Sequence, residues 1–537
     1  MAELGIRDVV GPIMVGPSSS HTAGALRIAS MVRDLLDSDP TDVTFTLYGS
    51  FSQTYRGHGT DRALVAGMLG LHTDDLRIKD SFELAEKTGL TFTFEVDPDT
   101  KTDHPNTVDI NVTDESGAHM QVRGESVGGG AARLVRLDGM IVDITGDHSA
   151  VVTYQHDAPG VLGFIASTFG RAGINIGSVS FQRQRKGGEA VNMLEVDDPV
   201  PQSVRDELLT HPDIDRVRFV PANGLNRLPQ TEEPSLSVDE AEALLPTVDF
   251  QNGADILAYC AERSMDVGQA FMEREKIRDA VRGVSENEIG RYLERALCVM
   301  RESAKAPLAE DITSMGGLIG GEAQRISQYS SGVFTGVFAK AAVYSMAVLE
   351  TNASMGRIVA APTAGSSGVM PGVLLALQEE HRFSDSQLID ALSCAAAIGY
   401  VVSKNATVAG AEGGCQAEMG TASAMAAAAT TQLLGGTPAM CFDAAAIAIT
   451  NMLGLVCDPV RGLVEEPCQK RNASAASNAL TASQLALAGV GATAPFDETV
   501  DAMRRVGRSL PMELRETALG GIAVCPSCLG DCANCRD

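Results

Sequence analysis

Three cysteines in the C-terminal half of this 537-residue chain stand in surroundings where backbone turns are expected. Cys415, Cys457 and Cys468 lie in the Gly- or Pro-containing segments 410–418, 456–464 and 466–472. Cys298 and Cys394, by contrast, lie in continuous apolar stretches typical of buried thiols. Glycine and proline allow sharp turns around a bulky inorganic group, but separations of 42 and 11 residues match no local ferredoxin pattern. Spacing alone therefore leaves a metal-cluster site and three unrelated buried thiols equally open.

A histidine base for chemistry at these cysteines must come from the N-terminal half of the chain. Of nine histidines, only His381 lies beyond residue 236, in a polar run predicted to be a solvated helix end. Two candidates lie in loop-to-helix contexts, His21 after a serine run and His58 in the turn 57–61. A lone histidine in a glycine turn is usually structural, so this alternative stays open. If either acts on a substrate held at the cysteines, the site must lie between domains.

Two hydroxyl-rich loops suggest a carboxylate site. Ser18, Ser19 and Ser20 precede a predicted helix, whose N-terminal N–H groups attract anions. A plain helix cap would need only one serine. The loop 361–368 contains Thr363, Gly365 and Ser366 and lacks the lysine of a phosphate-binding loop, so we expect it to hold a carboxylate or pack near a cofactor.

The C-terminal tail, 525–535, contains two Cys-x-x-Cys pairs separated by only three residues. A zinc ribbon needs about 15–20 residues between its pairs, and the bacterial ferredoxin run has a different internal spacing. A second metal site in the tail is therefore an open alternative.

Composition excludes several classes of partner. The formal charge is 42 − 69 = −27, which disfavours nucleic acid and anionic membranes, and tryptophan is absent. The N-terminus lacks a signal-peptide pattern, and no stretch of about 20 residues is strongly apolar and uncharged. We therefore expect a cytoplasmic protein whose eleven cysteines are thiols or metal ligands rather than disulfides.

The pattern of helices and strands that must position these residues predicts a multidomain protein. Residues 1–148 are expected to form an α/β (α+β) domain with strands at 43–47, 91–96, 108–112 and 120–123. Residues 149–222 show the order βαββαβ of the ferredoxin-like motif, and the Pro-rich segment 223–236 is expected to be a linker. Residues 237–537, including the tail 525–535, show helical periodicity and are expected to form an all-α domain.

The second of these units resembles the ACT family of amino-acid-sensing domains over about seventy residues, through the segments 157–162 and 173–176. The resemblance implies an allosteric site for an amino acid, with serine the simplest ligand, at the turn containing Asp157, Gly160 and Leu162. The alternative is a scaffold that only joins two functional domains.

The whole chain resembles the bacterial iron–sulfur L-serine dehydratases, which convert L-serine to pyruvate and ammonia. The resemblance rests on the segments 16–22, 410–418 and 457–472 and on the order of the three domains. It implies a [4Fe–4S] cluster held by Cys415, Cys457 and Cys468, with the fourth iron left for substrate. That iron would act as a Lewis acid on the serine hydroxyl while a base removes the α-proton.

The same resemblance implies a functional role for His58 and His21, rather than the structural role usual for a histidine in a turn. We predict His58 as the base and His21 as a substrate contact, with Thr60 and the serine and 363–366 loops binding substrate. In some members a C-terminal cysteine caps the open iron, and Cys528 and Cys535 are the candidates here. We expect a homodimer, the common default for soluble enzymes.

Two other functions remain open. A pyridoxal-phosphate dehydratase of serine or threonine would need a Schiff-base lysine such as Lys340 or Lys404, and it would leave the cysteine segments unexplained. A non-enzymatic ACT and iron–sulfur sensor would explain the cysteines, but no basic helix suggests a DNA-binding output.

Overall fold

The computed structural model describes residues 4–183, 185–198, 200–222, 234–329, 332–333 and 335–529. Most of the predicted linker, 223–233, lies outside these ranges. The strands are β1 (Ile13–Val15), β2 (Pro40–Tyr48), β3 (Thr91–Asp97), β4 (Thr107–Asp114), β5 (His119–Gly128), β6 (Ala131–Leu137), β7 (Met140–Ile144), β8 (Ser149–His156), β9 (Ile176–Arg183), β10 (Glu189–Val196), β11 (Ile214–Val220) and β12 (Arg357–Val359).

The helices follow the same chain order. They are α1 (Ile6–Val9), α2 (Ala25–Asp34), α3 (Gly49–Thr54), α4 (Thr60–Met68), α5 (Ser81–Thr88), α6 (Val161–Arg171), α7 (Gln202–Leu208), α8 (Val238–Val248), α9 (Gly253–Arg263), α10 (Val267–Val281), α11 (Asn287–Ala309), α12 (Glu322–Gln328), α13 (Gly336–Ala353), α14 (Val369–His381), α15 (Asp385–Asn405), α16 (Gly410–Gly413), α17 (Thr421–Leu433), α18 (Pro438–Thr450), α19 (Cys468–Leu487) and α20 (Phe496–Ser509).

The N-terminal region is a six-stranded sheet with helices packed on it. The strand order is β3-β2-β4-β5-β6-β7, in which only β2 and β3 are parallel. The four strands expected in this region lie within β2 to β5, whereas β6 and β7 were not predicted. Helix α2 packs closely on the sheet because Gly124 leaves room for Ile28, whose Cγ2 would lie 2.2 Å from a Cβ at that glycine. The sheet and helices thus share one apolar core that fixes the start of α2.

A second sheet has the antiparallel order β11-β8-β10-β9 and carries α6 and α7, so the elements follow the order βαββαβ. Alternating side chains face opposite ways, as strand geometry requires. Val151 and Leu194 pack with α6 and α7, whereas Val152, Val191 and Met193 join the core of the N-terminal region. This four-stranded unit therefore packs directly against the N-terminal region through buried side chains.

The C-terminal region is helical from α8 to α20, apart from the three-residue strand β12. Capping boxes begin α8, α10 and α15, where Ser237, Asp266 and Ser384 pair with the residue three positions on. Alanine-rich α17 is buried from Thr421 to Thr431, because small side chains let neighbouring helices approach closely.

Residues 6–13 contribute to the core of the helical region. Ile6, Val9 and Ile13 are fully or almost fully buried within it, and Arg7 pairs with Asp279 over 2.8 Å. Strand β1 then pairs antiparallel with β12, with Ile13 opposite Val359. The chain therefore passes from the helical region into the N-terminal region just before residues 16–21, which include the serines predicted to bind substrate.

Within the described ranges one helix, α15, has the length and apolarity to cross a membrane. Its most apolar window is 72% buried inside the protein, which is the environment of a core helix.

Candidate active site

His21 and His58 lie against each other, with ring centroids 4.4 Å apart and ring planes at 72°. His21 lies in a π-helical turn, Ser19–Gly24, that leads into α2, and His58 lies in the turn before α4. Gly59, at φ +62°, takes the left-handed conformation that starts α4 directly after His58. The Thr22 hydroxyl donates to the carbonyl oxygen of His58 over 2.7 Å. The two predicted histidines are thus brought together by turns that are bonded to one another.

Burial keeps both imidazoles neutral. His58 is fully buried, burial lowers its pKa to about 4, and neither ring nitrogen has a hydrogen-bond partner among the described residues. Burial and the neighbouring His58 lower the pKa of His21 well below its usual range. A buried polar group without a partner calls for a ligand or a water, and a neutral imidazole can accept a proton.

The serine run orients His21. Ser18 caps the turn by accepting from the His21 N–H over 3.1 Å. The Ser18 and Ser20 hydroxyl oxygens lie 3.3 and 3.1 Å from Nδ1 of His21, and Ser50 Oγ lies 2.9 Å from Nε2. Ser19 is buried in the same turn. Both nitrogens of His21 are therefore within hydrogen-bonding distance of hydroxyls, unlike those of His58.

Thr60 adds a second unpaired polar atom close to His58 in sequence. Its hydroxyl is buried at the first position of α4 and has no partner among the described residues.

The loop 361–368 lies beside the cysteine segments. The Thr363 hydroxyl donates to Glu418 Oε1 over 2.9 Å, and a Cβ at Gly365 would lie 3.3 Å from the same oxygen. The Ser366 hydroxyl bonds to the carbonyl oxygens of Ala361 and Thr363, so it holds the loop together. Asn472 of α19 donates to the Gly365 carbonyl oxygen over 2.8 Å, which fixes the loop to the helix that Cys468 begins.

The three predicted cysteines are buried and share one electrostatic environment. Cys415, Cys457 and Cys468 are 1%, 5% and 8% exposed. The Cys415 thiol and burial raise the pKa of Cys457 well above its usual range. Burial and the nearby Cys415 and Glu418 do the same for Cys468. These shifts favour the protonated form of the Cys457 and Cys468 thiols when no metal is bound.

The donor set fits an iron–sulfur cluster by its chemistry, because cysteine thiolates are the usual ligands of such clusters. Among the described residues no three His, Cys, Asp or Glu side chains converge closely enough to hold one metal ion. An iron–sulfur cluster spreads its thiolates over separate irons, so its cysteines need not converge on one point. Arg471 supplies a positive charge here, since Cys415 and Asp458 raise its pKa despite the opposing effect of burial.

The cysteine segments and the histidine turn meet at residues 462–463. A Cβ at Gly57 would lie 2.9 Å from Leu463 Cδ2, and one at Gly462 would lie 3.2 Å from Thr54 Cγ2. These residues flank His58 on one side and connect Cys457 with Cys468 on the other. The predicted base and the predicted ligands thus lie on segments in direct contact.

Three acidic residues at this junction were missed as functional residues. Glu418 lies 3.8 Å from the Cys457 thiol through Oε2, and Glu465 accepts from Ser314 and from the N–H groups of Gly316 and Leu318. Burial raises the pKa of Glu516 to about 8, and its N–H donates to the Cys457 carbonyl oxygen. Glu418 and Glu465 lie close to the cysteines in sequence, a usable signal, whereas nothing in the sequence links Glu516 to them.

Residues 521–524, which precede the tail, lie close to this site. The Ile522 N–H donates to Asp458 Oδ2 over 2.8 Å, which holds the 3₁₀ turn Gly521–Val524 beside Cys457. Cys525 is exposed and Cys528 is half-buried. Cys532 and Cys535 lie outside the described residues.

The predicted effector residues belong to the four-stranded unit. Asp157 accepts from Gly187 N–H and from the Arg183 guanidinium, and these contacts lower its pKa. Gly160, at φ +99°, precedes α6, and Leu162 is 43% exposed. The polar contacts of Asp157 are made within the four-stranded unit itself.

Neither candidate cofactor lysine is free. Lys340 pairs with Glu379 over 3.2 Å, and Lys404 donates to the Phe250 carbonyl oxygen and to the Tyr400 hydroxyl.

Two separate parts of the chain match two different family models. Residues 10–134 match the family model of the serine dehydratase beta chain, and residues 252–523 match that of the alpha chain. The alpha chain of L-serine dehydratase from Peptoniphilus asaccharolyticus is 45% identical over 272 residues, which are 50% of this chain and 92% of the relative. The beta chain from the same organism is 38% identical over 209 residues, 39% of this chain and 94% of the relative.

A relative with both parts in one chain also matches. The L-serine dehydratase of Streptomyces coelicolor is 29% identical over 531 residues, which cover 95% of this chain and 97% of the relative. This protein therefore belongs to the serine dehydratase family, with the beta-chain and alpha-chain parts of that family joined in one chain.

Proposed function

We propose that this chain deaminates L-serine to pyruvate and ammonia by dehydration. The observation that carries the proposal is His58, a fully buried imidazole whose two nitrogens have no partner in the described part of the chain, on a turn that contacts the segment between Cys457 and Cys468. Family membership and the relatives named L-serine dehydratase support the same reaction.

The proposed cofactor is a [4Fe–4S] cluster held by Cys415, Cys457 and Cys468. The buried, mutually close thiols and the neighbouring Arg471 support this ligand set. When bound, such a cluster supplies a Lewis-acidic iron that makes the serine hydroxyl a better leaving group. We propose no role for pyridoxal phosphate.

We propose His58 as the base that removes the α-proton. Its low pKa keeps the imidazole neutral at physiological pH, with a nitrogen lone pair able to accept a proton. The hydroxyls of Ser18, Ser20 and Ser50 orient the His21 ring. We propose that this ring, beside that of His58, contacts the substrate.

The substrate carboxylate is assigned to the hydroxyl-rich loops. Ser18, Ser19, Ser20 and Thr60 come from the N-terminal region, and Thr363 and Gly365 come from the helical region. Ser366 supports the second loop from within. Cys528 or Cys535 is the proposed additional ligand of the cluster, and the attachment of residues 521–524 to Asp458 supports a tail close to the site.

We further propose that 1–148, 149–222 and 237–537 are the N-terminal, ACT-like and catalytic domains, joined by a linker at 223–236. The turn at Asp157, Gly160 and Leu162 would bind an amino-acid effector. A cytoplasmic homodimer without nucleic-acid or membrane partners is the proposed state of the enzyme, and the acidic charge supports the absence of polyanionic partners.

Anaerobic purification followed by an assay for pyruvate from L-serine tests the proposal. We expect a brown protein that forms pyruvate and loses colour and activity together in air. A yellow protein whose activity withstands iron chelators would favour pyridoxal phosphate. A brown protein that forms no pyruvate from serine under strict anaerobiosis would favour a sensor.

A further inference from the structure

Asn352 joins the two loops to which substrate binding is assigned. It lies in the last turn of α13 and is fully buried. Its Nδ2 donates to the carbonyl oxygen of Ala364 over 3.0 Å and to that of Pro17 over 3.4 Å. These carbonyls immediately precede Gly365 and Ser18. One side-chain amide thus spans the N-terminal and helical regions at the point where the two loops approach each other.

The other end of this amide has no partner. Oδ1 of Asn352 is buried and makes no hydrogen bond to any described residue, like both nitrogens of His58 and the hydroxyl of Thr60. The orientation of the amide is fixed by chemistry, since both partners of Nδ2 are carbonyl oxygens that can only accept. The unpaired atom is therefore an acceptor, enclosed at the junction of the two loops.

An amino-acid substrate presents one group that needs such an acceptor. Its carboxylate pairs with donors, which the serine and threonine hydroxyls supply, whereas its α-ammonium group carries three N–H donors. The C-terminal end of α13 also favours a nearby cation through the helix dipole. Glu418 is already engaged, with Oε1 accepting from Thr363 and Oε2 facing the Cys457 thiol.

We propose that Asn352 Oδ1 accepts a hydrogen bond from the α-ammonium group of the substrate. Asn352 is then a specificity-determining residue that selects 2-amino acids over hydroxy acids of the same length. This inference rests on the proposed function, since it assigns a contact within the same substrate site.

Two partial substrates separate this contact from a purely structural role. 3-Hydroxypropanoate is serine without its amino group, and L-alanine is serine without its hydroxyl. In the cluster-loaded enzyme, Asn352→Ala should raise the inhibition constant of L-alanine and the KM for L-serine by about 10- to 100-fold, because a donor of the ligand loses its partner. The inhibition constant of 3-hydroxypropanoate should change less than about threefold on the same principle.

Thr351→Val is the matched control. Thr351 lies on the same turn of α13, is buried, and donates to the Ser303 carbonyl oxygen rather than to the substrate loops. This variant should lose stability without changing either inhibition constant.

Asn352→Asp keeps an acceptor but removes the two donors. We expect it to bind L-alanine more tightly than Asn352→Ala does, and this comparison decides the matter if 3-hydroxypropanoate does not inhibit the unsubstituted enzyme. If Asn352→Ala does not fold, Asn352→Leu, which keeps the side-chain volume but has no acceptor, replaces it in every comparison. Equal weakening of both inhibitors, or equally weak alanine binding by the Asp and Ala variants, would show that Asn352 only joins the loops. An unsubstituted enzyme that forms no pyruvate would instead refute the proposed function.

Discussion

The Thr22 hydroxyl and the His58 carbonyl oxygen are joined by a 2.7 Å hydrogen bond, which connects the turn carrying His21 to the turn carrying His58. Because the His58 side chain has no partner of its own among the described residues, its position depends on this bond and on the packing around it. The proposed base is therefore held by its backbone, which leaves both ring nitrogens available to substrate.

Replacing the proposed base should abolish turnover without removing the cofactor. His58→Gln is expected to lower kcat by about 10²- to 10⁴-fold, the usual contribution of a positioned general base. Pyruvate formation measures the loss, and iron content shows whether the cluster is retained. His381→Gln, at the exposed end of α14, should keep full activity.

Stability should depend on pH through His58. Its pKa in the folded protein is about 4, below the usual 6.5, so between these values the unfolded chain binds a proton that the folded chain does not. Stability therefore falls as pH decreases from 7 to 5, by about 2 kcal/mol from this one residue. Urea unfolding at the two pH values measures the change. The decrease should be smaller in His58→Gln, and an equal decrease in that variant would contradict the assignment.

The contact between residues 521–524 and the cysteine site should protect the cluster. Gly521→Ala would place a Cβ 2.2 Å from Asp458 Oδ2 and 2.7 Å from Asp458 Cβ at φ +61°, so residues 521–524 should shift away from Asp458. We expect faster loss of iron in air than in the unsubstituted protein. Gly489→Ala is the matched control, since φ there is +82° but nothing lies within 4 Å of the added carbon. Equal rates in the two variants would mean that residues 521–524 do not shield the site.

Glu465 should stabilise the loop 314–318. Removing its carboxylate in Glu465→Ala leaves the Ser314 hydroxyl and the N–H groups of Gly316 and Leu318 without their acceptor, at a cost of about 1–3 kcal/mol for each group that stays buried and unpaired. The midpoint of urea unfolding measures the loss. Its sequence neighbour Glu466 pairs with an exposed Lys470, so Glu466→Gln should change stability by less than about 1 kcal/mol.

Local sequence patterns predicted the elements well where apolar and polar residues alternate. The strands expected at 43–47 and 120–123 lie within β2 and β5, where every second residue is apolar and buried. The three-residue strands β1 and β12 were missed, since so short a segment carries no periodicity and their pairing joins residues far apart in sequence.

Local sequence patterns also miss those site residues that are brought together only by folding. Segments rich in glycine, proline and cysteine drew attention to His58 and the three cysteines, because backbone requirements leave a local mark, but only the resemblance to a known family implied their roles. Asn352 and Glu516 could not be found in this way. Neither lies in a distinctive sequence motif, and each reaches the site only through partners brought near by folding, Pro17 and Ala364 for the first and Cys457 for the second.

Iron content in cysteine variants tests the central claim most directly. Cys415→Ala, Cys457→Ala and Cys468→Ala, purified without air, should each lose bound iron and sulfide together with pyruvate formation from L-serine. Cys441→Ala, which removes another buried thiol from the same helical core, should retain all three. Full iron content in any one of the first three variants would contradict the proposed ligand set.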